Sequence, residues 1–403
     1  ASSAASDVYK RQMNILFYQY GSICEPDIME GFEELGFHVD SISEEIKNKS
    51  LTGKEQIQLI DQALSKRDYQ FVFTINFYPA ISECCNIYHI PYLCLIVDSP
   101  VLELYSDAIK NPCNRIFLFD RTLYEEFAPS NPDCIFHIPL ATNVNRWDRV
   151  LSQASMQQKS SFSSDVSFIG SLYSEKCPYY ELKFPSTYSK GYIEGLLQAQ
   201  KKVYGYFFLE EALDPALVND IVSHTPTFYQ FPERSRKDYR AALAQFYLGP
   251  RITELERVEM LTALGSHFSV DLYSNSNASS LPVHFRGRVK THTEMPLVFH
   301  ESCINLNMTA KSIRSGIPLR IWDVLGCQGF LISNYQAEIP DYFVPGEDIV
   351  LYSSKEELLD LTAYYLSHPA ERKEIAHNAY EKVKAHHTYL TRITQMLETA
   401  FHL

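Results

Sequence analysis

The alternation of short apolar segments with helical segments constrains the fold of this chain more than any other feature. From Met13, the segment MNILFYQYG is typical of a strand ending in a glycine turn, a helix is predicted over about Glu25–Leu35, and FHVDSIS is predicted to be a second strand. This β-α-β opening implies a parallel sheet with right-handed crossovers. Further strands are predicted at Tyr69–Asn76, Pro91–Asp98, Arg115–Asp120 and Cys134–Pro139, so we expect a Rossmann-like domain over residues 13–155.

A second alternation follows a polar, serine-rich segment, Gln153–Ser164, which we interpret as an interdomain linker. It starts at Asp165–Gly170 (DVSFIG), becomes mostly helical over about residues 178–264, and then returns to strands. These later strands are predicted at Phe268–Tyr273, His284–Arg286, Cys303–Asn307, Gly329–Ser333 and Ile349–Tyr352. We therefore expect a second Rossmann-like domain over 165–385 with a helical insertion, and a C-terminal helix over 386–403.

Composition excludes several classes of protein. The net charge of −13 argues against a protein that neutralises a nucleic-acid backbone. No apolar run approaches the roughly 18 residues of a membrane-spanning helix. Nine cysteines are scattered without a C-x-x-C pair or zinc spacing, which indicates reduced thiols and a cytoplasmic location. Residues 1–12 (ASSAASDVYKRQ) resemble translated adapter sequence, so we expect a non-native leader before Met13.

The segment Ser312–Asn334 (SIRSGIPLRIWDVLGCQGFLISN) is the most informative about binding. It is predicted to be a loop, a short helix starting near Gly316 and Pro318, a tight turn and a buried strand. Arg320 and Asp323 are three positions apart and would share one face of this helix. A helix N-terminus at the edge of an α/β sheet favours anions, so the segment predicts a nucleotide-diphosphate ligand. The alternative is an ion pair on an ordinary surface helix.

Two tandem Rossmann-like domains followed by helices are typical of the GT-B architecture. The runs CINLN, RSGIPLRIWDVLGCQGFLISNYQAEIPDYFVPGEDIVLYSSKEEL and HPAERKEIAHNAYEKVKAHHTYLTRI, within Cys303–Ile393, resemble the glycosyltransferase family that includes spore maturation protein CgeB-like proteins. FDR at Phe119–Arg121, DSP at Asp98–Pro100 and IPLA at Ile138–Ala141 resemble the N-terminal half of the same proteins. The resemblance implies a GT-B fold with two Rossmann-like domains facing a cleft.

The resemblance also implies roles for individual residues. In related retaining enzymes two acids lie eight positions apart, and the second binds the ribose of the nucleotide sugar. Asp323 occupies the second position, while Ser315 occupies the first and is not an acid. The resemblance thus assigns the ribose to Asp323, and the pyrophosphate to the helix start at Gly316 with help from Arg320 or Arg314.

Two strand ends supply the remaining candidates. Gly170 and Ser171 end the first strand of the second domain, where backbone amides could meet a phosphate; the alternative is a simple turn. Asp98 ends an N-terminal strand and could act as general base on an acceptor hydroxyl, or could only cap the next helix. Gly21 is not part of a G-x-G-x-x-G run, which disfavours NAD.

We therefore expect a bacterial, cytoplasmic, metal-independent glycosyltransferase that moves a sugar from a nucleotide-diphosphate donor. The donor sugar is expected to be linked to UDP. No cofactor, metal, nucleic acid or transmembrane segment is expected. The acceptor would be a cell-surface, spore or protein glycan, and both retention and inversion of the anomeric configuration stay open. The alternatives are a nucleotide-sugar epimerase and a non-catalytic GT-B module that binds nucleotide or glycan; the missing acid at Ser315 favours the module.

Overall fold

The computed structural model describes residues 13–402, so the expectation of a non-native leader over residues 1–12 lies outside the described residues. Among the described residues the chain forms two compact units. Unit 1 contains residues 13–139, 232–236 and 389–402, and unit 2 contains residues 140–231 and 237–388.

Unit 1 is built on a parallel sheet, which in the described residues has six strands in the order β2-β1-β3-β4-β5-β6. The strands are β1 (Met13–Tyr18), β2 (Phe37–Ile42), β3 (Val72–Ile75), β4 (Tyr92–Leu95), β5 (Asn114–Leu118) and β6 (Ile135–His137). The α-helices are Glu25–Glu34, Glu44–Lys47, Gly53–Leu64, Pro79–Tyr88, Arg121–Phe127 and Tyr389–Phe401, with 3-10 turns at Leu102–Tyr105, Asp107–Lys110 and Ala128–Ser130. The strand order reverses between β1 and β3, which is where open α/β sheets form ligand crevices.

Unit 2 has a second parallel sheet, with six strands among the described residues in the order β12-β11-β10-β7-β8-β9. The strands are β7 (Ser164–Ile169), β8 (Val270–Tyr273), β9 (His284–Gly287), β10 (Ser302–Asn307), β11 (Leu331–Asn334) and β12 (Val350–Tyr352). Counted from β7, this is the Rossmann order 3-2-1-4-5-6, with its reversal between β7 and β10.

The helices of unit 2 divide into those that flank the sheet and those inserted between β7 and β8. The first group comprises Val144–Gln153, Met156–Ser161, Met295–Glu301, Leu319–Gly326, Ile339–Tyr342, Lys355–Ser367 and Pro369–His386. The inserted group comprises Thr187–Lys201, Leu209–Ala212, Pro215–His224, Tyr239–Ala241, the π-helix Ala242–Leu248 and Gly249–Gly265, with 3-10 turns at Ser174–Lys176 and Pro178–Glu181. The two Rossmann-like sheets and the helical insertion confirm the predicted α/β, GT-B fold class.

The strands were predictable because most of them are buried on both faces and therefore consist of continuous apolar runs. All four residues of β4, for example, are at most 1% exposed. A terminal helix, Tyr389–Phe401, lies within the range expected for the C-terminal helix, 386–403.

The expected linker Gln153–Ser164 is instead largely helical. Its polar composition conceals a helix, Met156–Ser161, that begins with a capping box in which Ser155 and Gln158 bond each other's backbone amides. The preceding helix Val144–Gln153 buries Val144, Trp147 and Leu151, which recur at helical spacing. This preceding helix belongs to unit 2, so the structure divides the chain at Pro139 rather than near residue 155.

The C-terminal helix Tyr389–Phe401 belongs to unit 1, where it packs against the helix Glu25–Glu34. The approach is close enough to require a glycine, because a Cβ on Gly31 would lie 2.5 Å from Cδ1 of Ile393. We expected the C-terminal helix to follow the second domain, because it does so in sequence order. That order says nothing about which sheet a terminal helix covers.

Candidate functional site

The carboxyl edge of the unit 2 sheet is organised by Arg257, which the sequence analysis did not single out. Its guanidinium group donates to the carbonyl oxygen of Ser171 at 2.6 Å and to that of Met308. These carbonyls follow β7 and β10, the two strands between which the strand order reverses. The guanidinium group also lies over the rings of Phe168 and Tyr173, at 5.3 and 5.1 Å from their centroids. Arg257 therefore fixes both loops at the crevice position.

A cavity of about 400 Å³ opens beside these loops, at the carboxyl ends of β7, β8 and β9. Its lining includes the predicted residues Gly170 and Ser171. A Cβ on Gly170 would lie 3.0 Å from the ring of Phe168, so the glycine permits a tight turn here. The other lining residues are Ile169, Glu175, Tyr273, Ser274, Asn275, Arg288, Val289 and Thr291.

Two charged side chains, Glu175 and Arg288, line the cavity and could bind a polar ligand. Burial raises the pKa of the Glu175 carboxyl, but hydrogen bonds from its own backbone and from the hydroxyls of Ser276 and Ser171 lower this pKa overall. Glu175 is therefore ionised at neutral pH and can accept hydrogen bonds. Arg288 follows β9, and its exposed side chain supplies a cation at the same cavity. A carboxylate for hydroxyl groups and a cation for phosphate groups thus line one cavity.

Asp323 lies elsewhere in unit 2 and is only 6% exposed. One of its oxygens accepts a hydrogen bond from the hydroxyl of Thr142 at 2.9 Å, and this hydroxyl accepts one from the indole of Trp147 at 2.7 Å. The other oxygen lies 3.7 Å from Arg320. Asp323 is therefore buried and Arg320 is partly exposed. Neither residue lines the cavity, and Asp323 ties its helix to the segment that begins unit 2.

The other predicted donor residues are also engaged within the protein. The short helix begins at Leu319, directly after Pro318 and three positions after Gly316, close to the expected start. Gly316 lies in the preceding loop, where its carbonyl accepts from Gln336. Arg314 faces Glu210 at 3.8 Å. Pro318 takes an extended conformation as the N-cap residue, so the first helical residue is Leu319.

Ser315, which replaces the acid expected from the resemblance, has a carboxylate as its partner. Its hydroxyl donates to Glu338 at 2.7 Å, and the amide of Glu338 donates back to the carbonyl of Ser315 at 3.2 Å. Glu338 is 2% exposed. The chain thus places an acid beside position 315 from a different segment, and this acid holds the loop.

A buried ion pair lies beneath the loop that follows β10. The ammonium group of Lys311 lies 3.4 Å from Glu256, whose side chain is fully buried, and 3.8 Å from the ring centroid of Tyr204. Burial lowers the pKa of Lys311, against the opposing effect of Glu256. The backbone amide of Lys311 donates to the hydroxyl of Thr253, so the helix Gly249–Gly265 holds this loop at two points.

Unit 1 has its own polar cluster at the carboxyl edge of its sheet, centred on Asp98. One carboxylate oxygen of Asp98 accepts hydrogen bonds from the amide of Asn76 at 2.6 Å and from the hydroxyl of Tyr20 at 3.0 Å. Tyr20 and Asn76 follow β1 and β3, between which the strand order reverses. The exposed Asp98 is thus held at the crevice position of unit 1.

Sequence signals for the missed residues exist in part. Arg257 lies on the apolar face of its helix together with Met260, Leu261 and Leu264. A charged side chain on such a face is expected to be buried and to have a specific partner. Glu175 gave no comparable signal, because its contribution depends on the turn that brings it back to the end of β7.

Within residues 13–402, no group of three or more His, Cys, Asp or Glu side chains is placed to hold a metal ion. No helix in this described part has both the length and the apolar character needed to cross a membrane.

Comparison with known proteins agrees with this architecture. Residues 251–398 match a family model described as glycosyl transferase-like. No curated protein matches the chain significantly. Three similar solved structures have TM-scores of 0.54 and 11% identity. They are a glycosyltransferase from Rickettsia africae, a sucrose-phosphate synthase from Thermosynechococcus elongatus and Alr3699/HepE from Anabaena in complex with UDP.

The structural similarity extends over the whole architecture. The three alignments cover 98%, 97% and 97% of this chain, respectively, and 100% of each other chain. The protein therefore has the GT-B fold. The C-terminal part that matches the glycosyl transferase-like model begins at Arg251 and contains Arg257, Arg288, Lys311 and Asp323.

Proposed function

We propose that this protein is a glycosyltransferase that uses a nucleotide-diphosphate sugar, and that the donor binds in the cavity at the ends of β7, β8 and β9. The observation that carries the proposal is the position of this cavity. It adjoins the strand-order reversal of a Rossmann-type sheet, and it combines backbone at Gly170 and Ser171 with the charges of Glu175 and Arg288. Arg288 would contact the diphosphate, and the ionised Glu175 would accept hydrogen bonds from the ribose.

The donor base is proposed to be uracil. Alr3699/HepE, one of the similar structures, was solved with UDP and also with UDP-glucose. The family match over residues 251–398 supports sugar transfer as the reaction. Membership of the CgeB-like group, a bacterial source, a cytoplasmic location and independence of metal ions stay predictions from the sequence.

Asp98 is proposed as the general base that accepts the proton of the acceptor hydroxyl. Tyr20 and Asn76 bond one of its oxygens, and the proton would pass to the other. Transfer would then depend on positioning and on stabilisation of the leaving diphosphate by Arg288 and by backbone amides. Asp323, Arg314, Arg320 and Gly316 stay sequence-based predictions for donor binding; their partners in the structure support a role in ordering the loop and helix after β10.

The test is a thermal-shift panel of UDP-, GDP- and dTDP-sugars on the unchanged protein and on two arginine variants. A UDP-sugar is expected to raise the melting temperature, and Arg288→Ala is expected to reduce this shift. Arg286→Ala is the matched control, because Arg286 lies two positions away on β9 but pairs with Asp271 at 3.0 Å instead of lining the cavity. If the UDP-sugar raised the melting temperature of both variants equally, the donor would not bind in this cavity.

Turnover separates the alternatives. A transferase releases UDP from the donor in the presence of an acceptor preparation. A non-catalytic module would show the thermal shift without UDP release, and an epimerase would change the sugar without any acceptor.

A further inference from the structure

We propose that the helical insertion of unit 2 carries a separate binding site for a neutral sugar ring of a glycan, in the pocket beside Tyr180. This pocket has a volume of about 580 Å³, which is in the range of small-molecule sites. Its lining combines aromatic rings with long polar side chains: Tyr179, Tyr180, Lys190, Glu194, Gln198 and Arg251. Lining residues of the proposed donor cavity do not recur in it.

Tyr180 is exposed but is held in place. Its side chain is 56% exposed, yet its hydroxyl oxygen lies 2.9 and 3.0 Å from the carboxylate oxygens of Glu254. The same hydroxyl accepts a hydrogen bond from Arg251 at 2.6 Å. Burial of the hydroxyl and its hydrogen bond to Glu254 raise the pKa of Tyr180 to about 12, so it stays protonated at neutral pH. Arg251 lies over one face of this ring, 5.2 Å from its centroid, so the opposite face is the preorganised platform for an apolar ligand face.

The pocket is lined by opposite charges that are paired. Arg251 lies 2.7 Å from Glu254, and Lys190 lies 3.7 Å from Glu194. Each lining cation therefore has a carboxylate beside it, which disfavours a phosphate or an acidic sugar as the ligand. A neutral polyol can bond Lys190 and Glu194, which both line the pocket, without an excess of either charge.

A pyranose ring matches this arrangement better than other neutral ligands. One face of a pyranose presents C–H groups, which stack on an aromatic ring, while its edge presents adjacent hydroxyls. Glu194 and Gln198 are four positions apart on the exposed face of the helix Thr187–Lys201, so a carboxylate and an amide are adjacent there. Tyr180 would stack on the C–H face, and this pair would bind the hydroxyls.

The proposal rests on the proposed function only in taking the glycan to be the acceptor. Binding of a sugar ring at Tyr180 requires no nucleotide and no turnover. A protein that binds neutral glycans but shows no response to nucleotide sugars would contradict the transferase and leave this site intact. The reverse result would remove this site and leave the donor cavity.

The experiment measures binding of neutral hexasaccharides by saturation-transfer NMR and calorimetry. The probes are α-glucan, β-glucan, mannan and chitin oligomers, with a polygalacturonate oligomer as the acidic comparison. At least one neutral probe is expected to bind with millimolar or better affinity, and Tyr180→Ala is expected to weaken it by about tenfold, the effect of roughly 1.4 kcal/mol. Tyr180→Phe keeps the ring but removes the hydroxyl that Glu254 and Arg251 hold, so it is expected to retain more of the affinity than Tyr180→Ala.

Matched variants keep the result interpretable. Tyr188→Ala and Tyr206→Ala remove tyrosines that are 78% and 54% exposed on the same insertion but do not line the pocket, and they should leave affinity unchanged. Gln198→Ala changes an exposed helix residue and should weaken binding without loss of stability. The proposal is overturned if no neutral probe binds, if the acidic probe binds best, or if Tyr180→Ala and Gln198→Ala both bind as the unchanged protein does.

Discussion

The side-chain amide of Asn76 bonds both the side chain and the backbone of Asp98. Its nitrogen donates to the carboxylate of Asp98 at 2.6 Å, while its oxygen accepts from the backbone amides of Val97 and Asp98 at 3.0 and 3.3 Å. Asn76 itself has φ of 61°, a left-handed conformation that asparagine adopts more readily than most residues. One residue at the end of β3 thus fixes the acid that follows β4.

Asp98→Asn is expected to slow sugar transfer while leaving nucleotide binding unchanged. The substitution removes the base but keeps a side chain of the same size, and the lining residues of the cavity proposed for the donor belong to unit 2. The loss in kcat would be about 10²–10⁴-fold, as for removal of a general base. The measurement is steady-state transfer together with calorimetric titration of the nucleotide. Wild-type turnover would leave Asp98 with only a structural role.

Asn76→Ala is expected to lower kcat by about 10–100-fold, because it removes a hydrogen bond to a charged group that is worth roughly 1.5–3 kcal/mol. The KM for the donor should not change. Tyr20→Phe is the comparison, since it removes the longer of the two side-chain hydrogen bonds to Asp98 and should have a smaller effect. An unchanged kcat in Asn76→Ala would contradict a role for Asn76 in positioning the carboxylate of Asp98.

Arg257→Met is expected to weaken nucleotide binding at least tenfold by releasing the loops after β7 and β10. It leaves two carbonyls, those of Ser171 and Met308, without their charged donor. The unfolding free energy should fall by about 1–3 kcal/mol for each unsatisfied buried group. Urea denaturation and calorimetry provide the two readouts. Arg288→Ala should instead weaken nucleotide binding at constant stability, because the side chain of Arg288 is exposed. An equal loss of stability in Arg257→Met and Arg288→Ala would contradict the structural role of Arg257 and the binding role of Arg288.

Asp323 and Thr142 are expected to be coupled in stability. In a double-mutant cycle with Asp323→Asn and Thr142→Val, the coupling energy should be roughly 0.5–3 kcal/mol, because the two side chains share a buried hydrogen bond of 2.9 Å. Urea denaturation of the four proteins measures it. Nucleotide affinity is expected to be similar in Asp323→Asn and Thr142→Val. A selective loss of affinity in Asp323→Asn would instead support the ribose contact predicted from the sequence.

Substitutions of Lys311 and Glu256 are expected to have non-additive effects on the unfolding free energy. Glu256→Gln leaves a buried ammonium without its counter-charge and should destabilise the fold by about 3–5 kcal/mol, whereas Glu256→Gln with Lys311→Met should recover much of this loss. A double variant no more stable than Glu256→Gln alone would contradict the pairing.

The same pair predicts a pH dependence. Because burial lowers the pKa of Lys311, the folded protein binds fewer protons than the unfolded chain between that pKa and the usual value near ~10.4. The unfolding free energy of the unchanged protein should therefore rise with pH through this interval, relative to the double variant. Chemical denaturation at several alkaline pH values measures this difference, and a flat difference would show that Lys311 does not titrate there.

The strands, most helices and the fold class could be predicted from the sequence, because buried parallel strands consist of apolar runs that local composition reveals. The sequence also pointed to Gly170, Ser171 and Asp98, since the carboxyl ends of such strands are where ligand crevices form. The helix Met156–Ser161 was not predicted, because it depends on a capping box rather than on apolar residues at helical spacing.

Only the tertiary structure decided which of the candidate residues meet. Sequence spacing placed Arg320 and Asp323 on one helix face, but the packing of Thr142, which is 181 positions away from Asp323, turned that face inward. The same long-range packing brought Glu175 to Ser276 across 101 positions and Arg257 to Ser171 across 86. Local sequence determines which face of its helix or strand a side chain occupies. Which other element packs against that face depends on long-range contacts, and no local pattern encodes these.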